Sequence, residues 1–287
     1  MNISHRLTAC TLSCLVALLG TAAPSPGEKA TEGQPVVLAR SYTLPSKILE
    51  QQRRINVYVP PGYETGDRRY PVLYLLDGGT KEDFFHIAGI ASLAADYRNI
   101  REFILVGIEG IDRYHDLTPP SEVAQDRKQL PTSGGSAKFR AFLEKELVPY
   151  VSSHFRLTDE SVLIGESAAG LFVTETLLRQ PELFGGYIAI SPSLWWNDQA
   201  LAKASAQSLQ APAFPKDRRL YLTIADEGGT MRAGVDMLVA ALKAHAPKEM
   251  TWTFVPMTEE THATTFHPAA LDAVRIMFAG KKAETAP

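Results

Sequence analysis

Ser167 lies in Ser161-Val-Leu-Ile-Gly-Glu-Ser-Ala-Ala-Gly-Leu-Phe-Val-Thr-Glu-Thr-Leu-Leu178, where a serine nucleophile could be built. A short β-branched and aliphatic run reads as a buried strand. A turn of small residues (Gly165, Ala168, Ala169, Gly170) follows, and then the spacing becomes helical at Leu171, Thr174, Leu177 and Leu178. A strand that turns sharply into a helix around a serine pushes the hydroxyl out at the sheet edge. The same turn aims the next N–H groups and the positive helix end at whatever the serine attacks. Gly-x-Ser alone occurs often by chance; framed by strand and helix in this order it is specific. One departure is Ala169, the second residue after the serine, where such a turn commonly has glycine.

A serine hydroxyl is a poor nucleophile near neutral pH and needs an adjacent base oriented by a third group. The order serine, acid, histidine is one of the chain orders in which such triads occur. His262, in Glu259-Glu260-Thr-His-Ala-Thr-Thr, falls between the last strand and the last helix and is the expected base. His245 closes a helix, where a cation suits the dipole. His267 precedes Pro268 at a helix start, where an imidazolium is disfavoured. The acid should follow the strand Leu220–Ala225, which offers Asp226 and Glu227; Glu227, before Gly228-Gly229, is preferred, and a loop or capping role is expected for the other. Glu166 reads as a rim carboxylate, because side chains adjacent in an elbow point in different directions. An oxyanion hole needs two preorganised N–H donors. Ala168 is expected to give one and Gly79, in the turn Asp77-Gly78-Gly79, the other.

Three further residues are candidates for substrate contact. Trp195 and Trp196 are expected as an exposed pair lining an aromatic or apolar acyl pocket, with loop packing an equal alternative. Arg113, with His115 and Asp116 in Asp112-Arg-Tyr-His-Asp-Leu-Thr-Pro-Pro, could reach substrate or hold its own loop together. No His/carboxylate pair has convincing metal-ligand spacing, so neither a metal nor a cofactor is expected.

These residues need a scaffold. Val36–Leu44 and Arg54–Val59 read as an opening pair of strands, and Pro71–Leu76, Phe103–Ile108, the serine strand, Tyr187–Ile190, Leu220–Ala225 and Thr251–Pro256 as further strands. Helices are predicted over Phe84–Tyr97, Ala137–Phe155, the segment after Ser167, Ala200–Leu209, Arg232–Ala244 and Pro268–Phe278. After the opening pair, alternating elements with largely apolar strands predict a mostly parallel sheet covered on both faces. Ligands then bind beyond the carboxyl ends of the strands, where Asp77-Gly78-Gly79, Ser167, Asp226-Glu227 and the His262 loop all fall.

Residues 1–22 are expected to be a signal peptide, with His5 and Arg6 before the apolar run Leu7–Leu19 and cleavage after Ala22. Residues 23–34 and 281–287 are expected to be flexible and 35–280 to form a single domain. The run is too short for a comfortable bilayer span, so no stable membrane insertion is expected. Both cysteines, Cys10 and Cys14, lie in the leader, which excludes disulfides and thiol chemistry from the rest. Charge is balanced, 29 Lys and Arg against 32 Asp and Glu, with no basic footprint for nucleic acid. The pairs Arg53-Arg54, Arg68-Arg69 and Arg218-Arg219 are expected at solvated strand ends.

Tyr74-Leu-Leu-Asp-Gly, Arg113-Tyr-His-Asp-Leu-Thr-Pro, Gly165-Glu-Ser-Ala-Ala-Gly, Tyr187-Ile-Ala-Ile-Ser-Pro-Ser-Leu-Trp-Trp and Thr261-His-Ala together resemble the bacterial putative-esterase family of α/β-hydrolases. Siderophore esterases, feruloyl esterases and mycolyltransferases are among its relatives. The resemblance implies the α/β-hydrolase fold, Ser167 as nucleophile, His262 as base and the Asp77–Gly79 turn in the oxyanion hole. Glu227 before a Gly pair looks like the mycolyltransferase arrangement. The histidine usual before the nucleophile is Glu166 here. The expectation is an exported serine esterase acting on a small-molecule ester, aromatic-acyl or siderophore in type. An acyltransferase and a non-catalytic ligand-binding protein on the same fold are the alternatives.

Overall fold

The computed structural model describes residues 33–94 and 100–280. The leader, most of the 23–34 segment and the 281–287 tail lie outside them. Met1–Val37 forms one unit, of which 33–37 are described, and the chain from Leu38 onward forms another, compact unit.

Eight strands make one sheet: β1 (Arg40–Ser46), β2 (Gln51–Tyr58), β3 (Tyr70–Leu75), β4 (Ile104–Ile108), β5 (Leu157–Glu166), β6 (Gly186–Ile190), β7 (Arg219–Ala225) and β8 (Thr251–Met257). Their order is β1-β2-β4-β3-β5-β6-β7-β8. β1 pairs antiparallel with β2, and β2 antiparallel with β4. Every pair from β4 to β8 is parallel. This is the mostly parallel sheet with an antiparallel opening pair, the α/β-hydrolase fold.

The apolar patterning explains the layers. β3, β4 and β6 are buried at every position, as a sheet covered on both faces requires. Side chains alternate along β3: Val72 and Tyr74 enter one core with Phe139, Phe172 and Val235, whereas Leu73 and Leu75 enter the other with Phe84, Ala269 and Val274. The helices are α1 (Phe84–Ala94), α2 (Arg113–Leu117), α3 (Ala124–Gln129), α4 (Ser136–Phe142), α5 (Val148–His154), α6 (Ala168–Arg179), α7 (Trp196–Leu209), α8 (Gly229–His245) and α9 (Phe266–Met277).

One expected helix differs in detail. The helix expected over 137–155 is α4 and α5 joined by a π segment at Leu143–Leu147. Pro149, in the first turn of α5, has no N–H to give a carbonyl four residues back, and widening the turn accommodates it. In α7, Asn197, Asp198 and Gln199 have left-handed φ values of 50°, 50° and 62°, so regular helix starts at Ala200. Arg53 corrects the expectation of a solvated strand end. It is 1% exposed; its Nη2 bonds Asp116 Oδ2 at 2.8 Å, and its guanidinium lies 5.2 Å from the Phe139 ring.

Candidate active site

Ser167 stands between β5 and α6 with φ 59° and ψ −116°, a strained conformation for a residue with a Cβ. Its N–H donates to Ile190 O on β6, and its C=O accepts from Leu171 and Ser193 N–H groups. The tight turn depends on missing side chains. A Cβ on Gly165 would lie 2.6 Å from the Ala169 methyl, and one on Gly170 would lie 2.8 Å from Ile190 O. Ala169 therefore fits because Gly165 faces it.

His262 Nε2 is 2.9 Å from Ser167 Oγ, and its Nδ1 contacts Glu227 Oε1. A carboxylate at Nδ1 holds the proton there and leaves the Nε2 lone pair facing the hydroxyl, which donates to it. The loops carrying acid and base are tied directly: Asp226 N–H donates to Glu260 O at 2.8 Å. Asp226 itself is exposed and Glu227 half-buried, so the bond from one fixes the other beside His262. The hydrogen bond to Glu227 raises the His262 pKa, against a smaller opposing effect of burial. His245 ends α8, and His267 packs edge-on against the His86 ring at 4.3 Å.

Around this line lies a cavity of about 370 Å³, walled by Tyr114, Leu130, Trp195, Trp196 and Met231 and floored by Ser167, Ala168 and Ser193. Trp195 is half-buried, but Trp196 is 2% exposed and its Nε1 donates to Pro119 O at 2.9 Å. The tryptophans are thus a wall, not an exposed pair.

Gly79 and Arg113 each bond to residues outside the cavity lining. Gly79 N–H donates to Glu82 Oε2 at 2.6 Å, while Glu82 N–H donates to Gly79 O at 3.0 Å. These two bonds close the turn ahead of α1 through a glutamate whose side chain is exposed. Arg113 does not line the cavity: its Nε bonds both Asp77 oxygens at 3.0 and 2.9 Å, and its Nη2 donates to Glu166 O at 3.2 Å. It braces the ends of β3 and β5, since a guanidinium beside a half-buried carboxylate gains more there than in a loop. Glu166 is no triad member. Burial pushes its pKa up to about 7, with Asp83 and Asp77 acting the same way. Its Oε1 is buried with no hydrogen-bond partner among the described residues.

Ser193 does not stand out in the sequence, although it sits in Ser191-Pro-Ser-Leu-Trp-Trp; its Oγ is 3.3 Å from Ser167 Oγ. Its place directly after a parallel strand, on the ligand-binding edge, is the available signal. Glu82, four residues past Gly78, gives no comparable sign.

Residues 46–265 match the family described as "Putative esterase". The chain belongs to that family and is a carboxylic ester hydrolase. The esterase is 31% identical to the ferri-bacillibactin esterase BesA of Bacillus subtilis over 152 residues, 47% of this chain and 51% of BesA. It therefore spans about half the length of that relative. It is 25% identical over 186 residues to YbbA of the same organism, an uncharacterized protein, covering 64% of this chain and 72% of YbbA. Among solved structures, an IroE-like serine hydrolase from Shewanella oneidensis superimposes with TM-score 0.75 at 30% identity, covering 84% of this chain and 80% of that one. The BES protein of Bacillus cereus shares the fold, with TM-score 0.74 at 23% identity over 86% and 99% of the two chains.

Proposed function

We propose that this esterase works through a Ser167–His262–Glu227 triad and an acyl-enzyme. The observation that carries the reading is the continuous line of contacts from Glu227 through His262 to the hydroxyl on the strained turn. His262 Nε2 takes the Ser167 proton as Oγ attacks the ester carbonyl. The Ala168 N–H, at the free start of α6, faces the developing oxyanion. Collapse of the tetrahedral intermediate releases the alcohol, protonated by His262, and water then repeats the sequence to release the acid.

The acyl group is proposed to be aromatic, seated against Trp195 and Trp196, and siderophore esters are the first class to try. The wall residues support this, as does the printed activity of BesA, a ferri-bacillibactin esterase. Export is proposed from the charged start and apolar run before Ala22; mass spectrometry of the chain isolated from its own cell's exported fraction should find Ala23 as its first residue.

The test is a panel of acetyl, butyryl, feruloyl and siderophore esters, assayed with wild type, Ser167→Ala and His262→Ala. Each variant should lose at least about 10³-fold in kcat while keeping its circular dichroism spectrum. Wild-type turnover by Ser167→Ala would end the reading. An added alcohol acceptor should not divert the acyl group from water.

A further inference from the structure

We infer that a second cavity, behind the Trp196 wall, is a binding site for a small monocarboxylate with an apolar body, the chemical class that ester hydrolysis itself releases. The site goes beyond the Ser167 acyl-enzyme reading and stands on geometry that does not use it.

This cavity measures about 250 Å³ and is lined from α4, α6 and α7, with Pro119, Pro120, Leu171, Trp196 and Leu201 as its main apolar surface. Leu171 and Trp196 also line the active-site cavity, so these two side chains are a wall common to both. The indole is fixed there, because Trp196 Nε1 donates to Pro119 O at 2.9 Å. The volume falls below the roughly 300–1,000 Å³ of pockets that take drug-sized ligands, which restricts the occupant to a small molecule.

Three charged side chains share the lining: Arg140 on α4, and Glu175 and Arg179 on α6. Glu175 is 2% exposed and Arg140 7%. Glu175 Oε2 lies 3.1 Å from Arg140 Nη1, and Glu175 Oε1 lies 3.1 Å from Arg179 Nε. One carboxylate thus serves two guanidiniums, and a positive charge is left over where charges are ordinarily matched. The inner contact is also misaligned, since neither Arg140 Nη1 nor Glu175 Oε2 completes a hydrogen bond. Arg140 has no other ion-pair or hydrogen-bond partner among the described residues. The Nε–Nη2 edge of its fork is therefore unspent, and a guanidinium edge of this kind meets a carboxylate with two parallel bonds. Ser136, fully buried in the same lining, has a hydroxyl with no partner either.

These features select among ligands. A cation is repelled by the surplus charge, and a neutral molecule leaves the arginine fork unspent. A dianion such as phosphate exceeds the surplus and would have to shed its water against proline, leucine and indole. A monocarboxylate matches on both counts: its charge balances the second guanidinium, and its apolar body lies against Trp196 and Leu201. Arg179 is exposed and meets an incoming acid from the solvent side.

The test follows 4-fluorobenzoate by fluorine NMR on the full chain, before and after treatment with a fluorophosphonate to fill the active-site cavity. Wild type should bind the probe with a Kd of about 1 mM or tighter in both states. Butyrate, the acid that p-nitrophenyl butyrate releases, should displace it, and inorganic phosphate at the same concentration should not. Neutral 4-fluorobenzamide should bind at least about 10-fold more weakly. Arg140→Lys keeps a cation for Glu175 but loses the fork, and should weaken binding about 10-fold. Arg140→Met with Glu175→Leu, a neutral pair of similar volume, should weaken it roughly 10- to 100-fold. Both variants should hydrolyse p-nitrophenyl butyrate with wild-type kcat, which shows that the fold is intact. No binding to wild type, binding abolished by the fluorophosphonate, or unchanged affinity in both Arg140 variants overturns the site. Equal affinity for the amide and the acid overturns the choice of a carboxylate.

Discussion

His262 determines how the esterase should respond to pH. An imidazolium cannot accept the Ser167 proton, so activity should rise as pH climbs through the His262 pKa. Glu227 raises that pKa above the ordinary value of 6.5, and the acid limb of kcat/KM should therefore lie above 6.5. Glu227→Gln removes the charge that favours the protonated ring and should shift the limb to lower pH, with a fall in plateau kcat of about 10-fold or more, since the wrong tautomer is no longer excluded. Asp226→Asn should move neither, because that carboxylate points into solvent while only its backbone N–H ties the two loops. A pH–rate profile of the three enzymes is the measurement. The choice between adjacent carboxylates is visible in sequence only as a preference. Both come after the same strand, and the 2.8 Å bond from Asp226 N–H to Glu260 O decides which side chain turns inward.

The elements act by bringing short turns to one edge. The elbow works because β5 stops and α6 starts within a residue, and Gly165 leaves room for the Ala169 methyl. Gly165→Ala should force those two carbons apart from 2.6 Å, costing about 1–3 kcal/mol by overpacking and lowering kcat more than that loss of stability explains, since Ser167 moves with the turn. Urea unfolding beside kcat separates the two effects. Ahead of α1, Glu82→Ala removes the side-chain bond to Gly79 N–H and should cost about 1 kcal/mol. Element types and order were legible from the alternation of apolar runs and small-residue turns. The π segment was not, since Pro149 in an amphipathic pattern is compatible with a kink, a break or a widened turn, and packing of Phe142, Leu143 and Leu147 into the core selects among them.

For the molecule as a whole, the buried Arg53–Asp116 pair fastens the antiparallel end of the sheet to the segment that walls the cavity. Arg53 reaches from β2 to α2, and Tyr114 and Thr118, on and beside α2, line the site. Arg53→Ala would leave Asp116 buried without its cation, and a loss of about 3–5 kcal/mol is expected. KM should also rise, because the wall loses its anchor; thermal unfolding and steady-state kinetics on the same preparation would show both. A neutral Arg53→Met, Asp116→Leu pair should recover much of the stability. The strand's alternation separates Arg53 from Arg54, since Arg53 lies on the same side as the core residues Ile55 and Val57; what lies across from it only the packed structure decides.

Local sequence alone determined the strand–turn–helix around Ser167, the succession of apolar strands and helices, and the placing of nucleophile, acid and base at strand ends, because each rests on periodicity and on residue volume within a few positions. Tertiary structure decided what each of those groups meets. That Arg113 braces two strands, that Trp196 is a wall and that Ser193 touches the nucleophile are all contacts between segments distant in the chain. Hydrogen-bond directions of this kind depend on angles set by the whole packed sheet, which no run of neighbouring residues encodes.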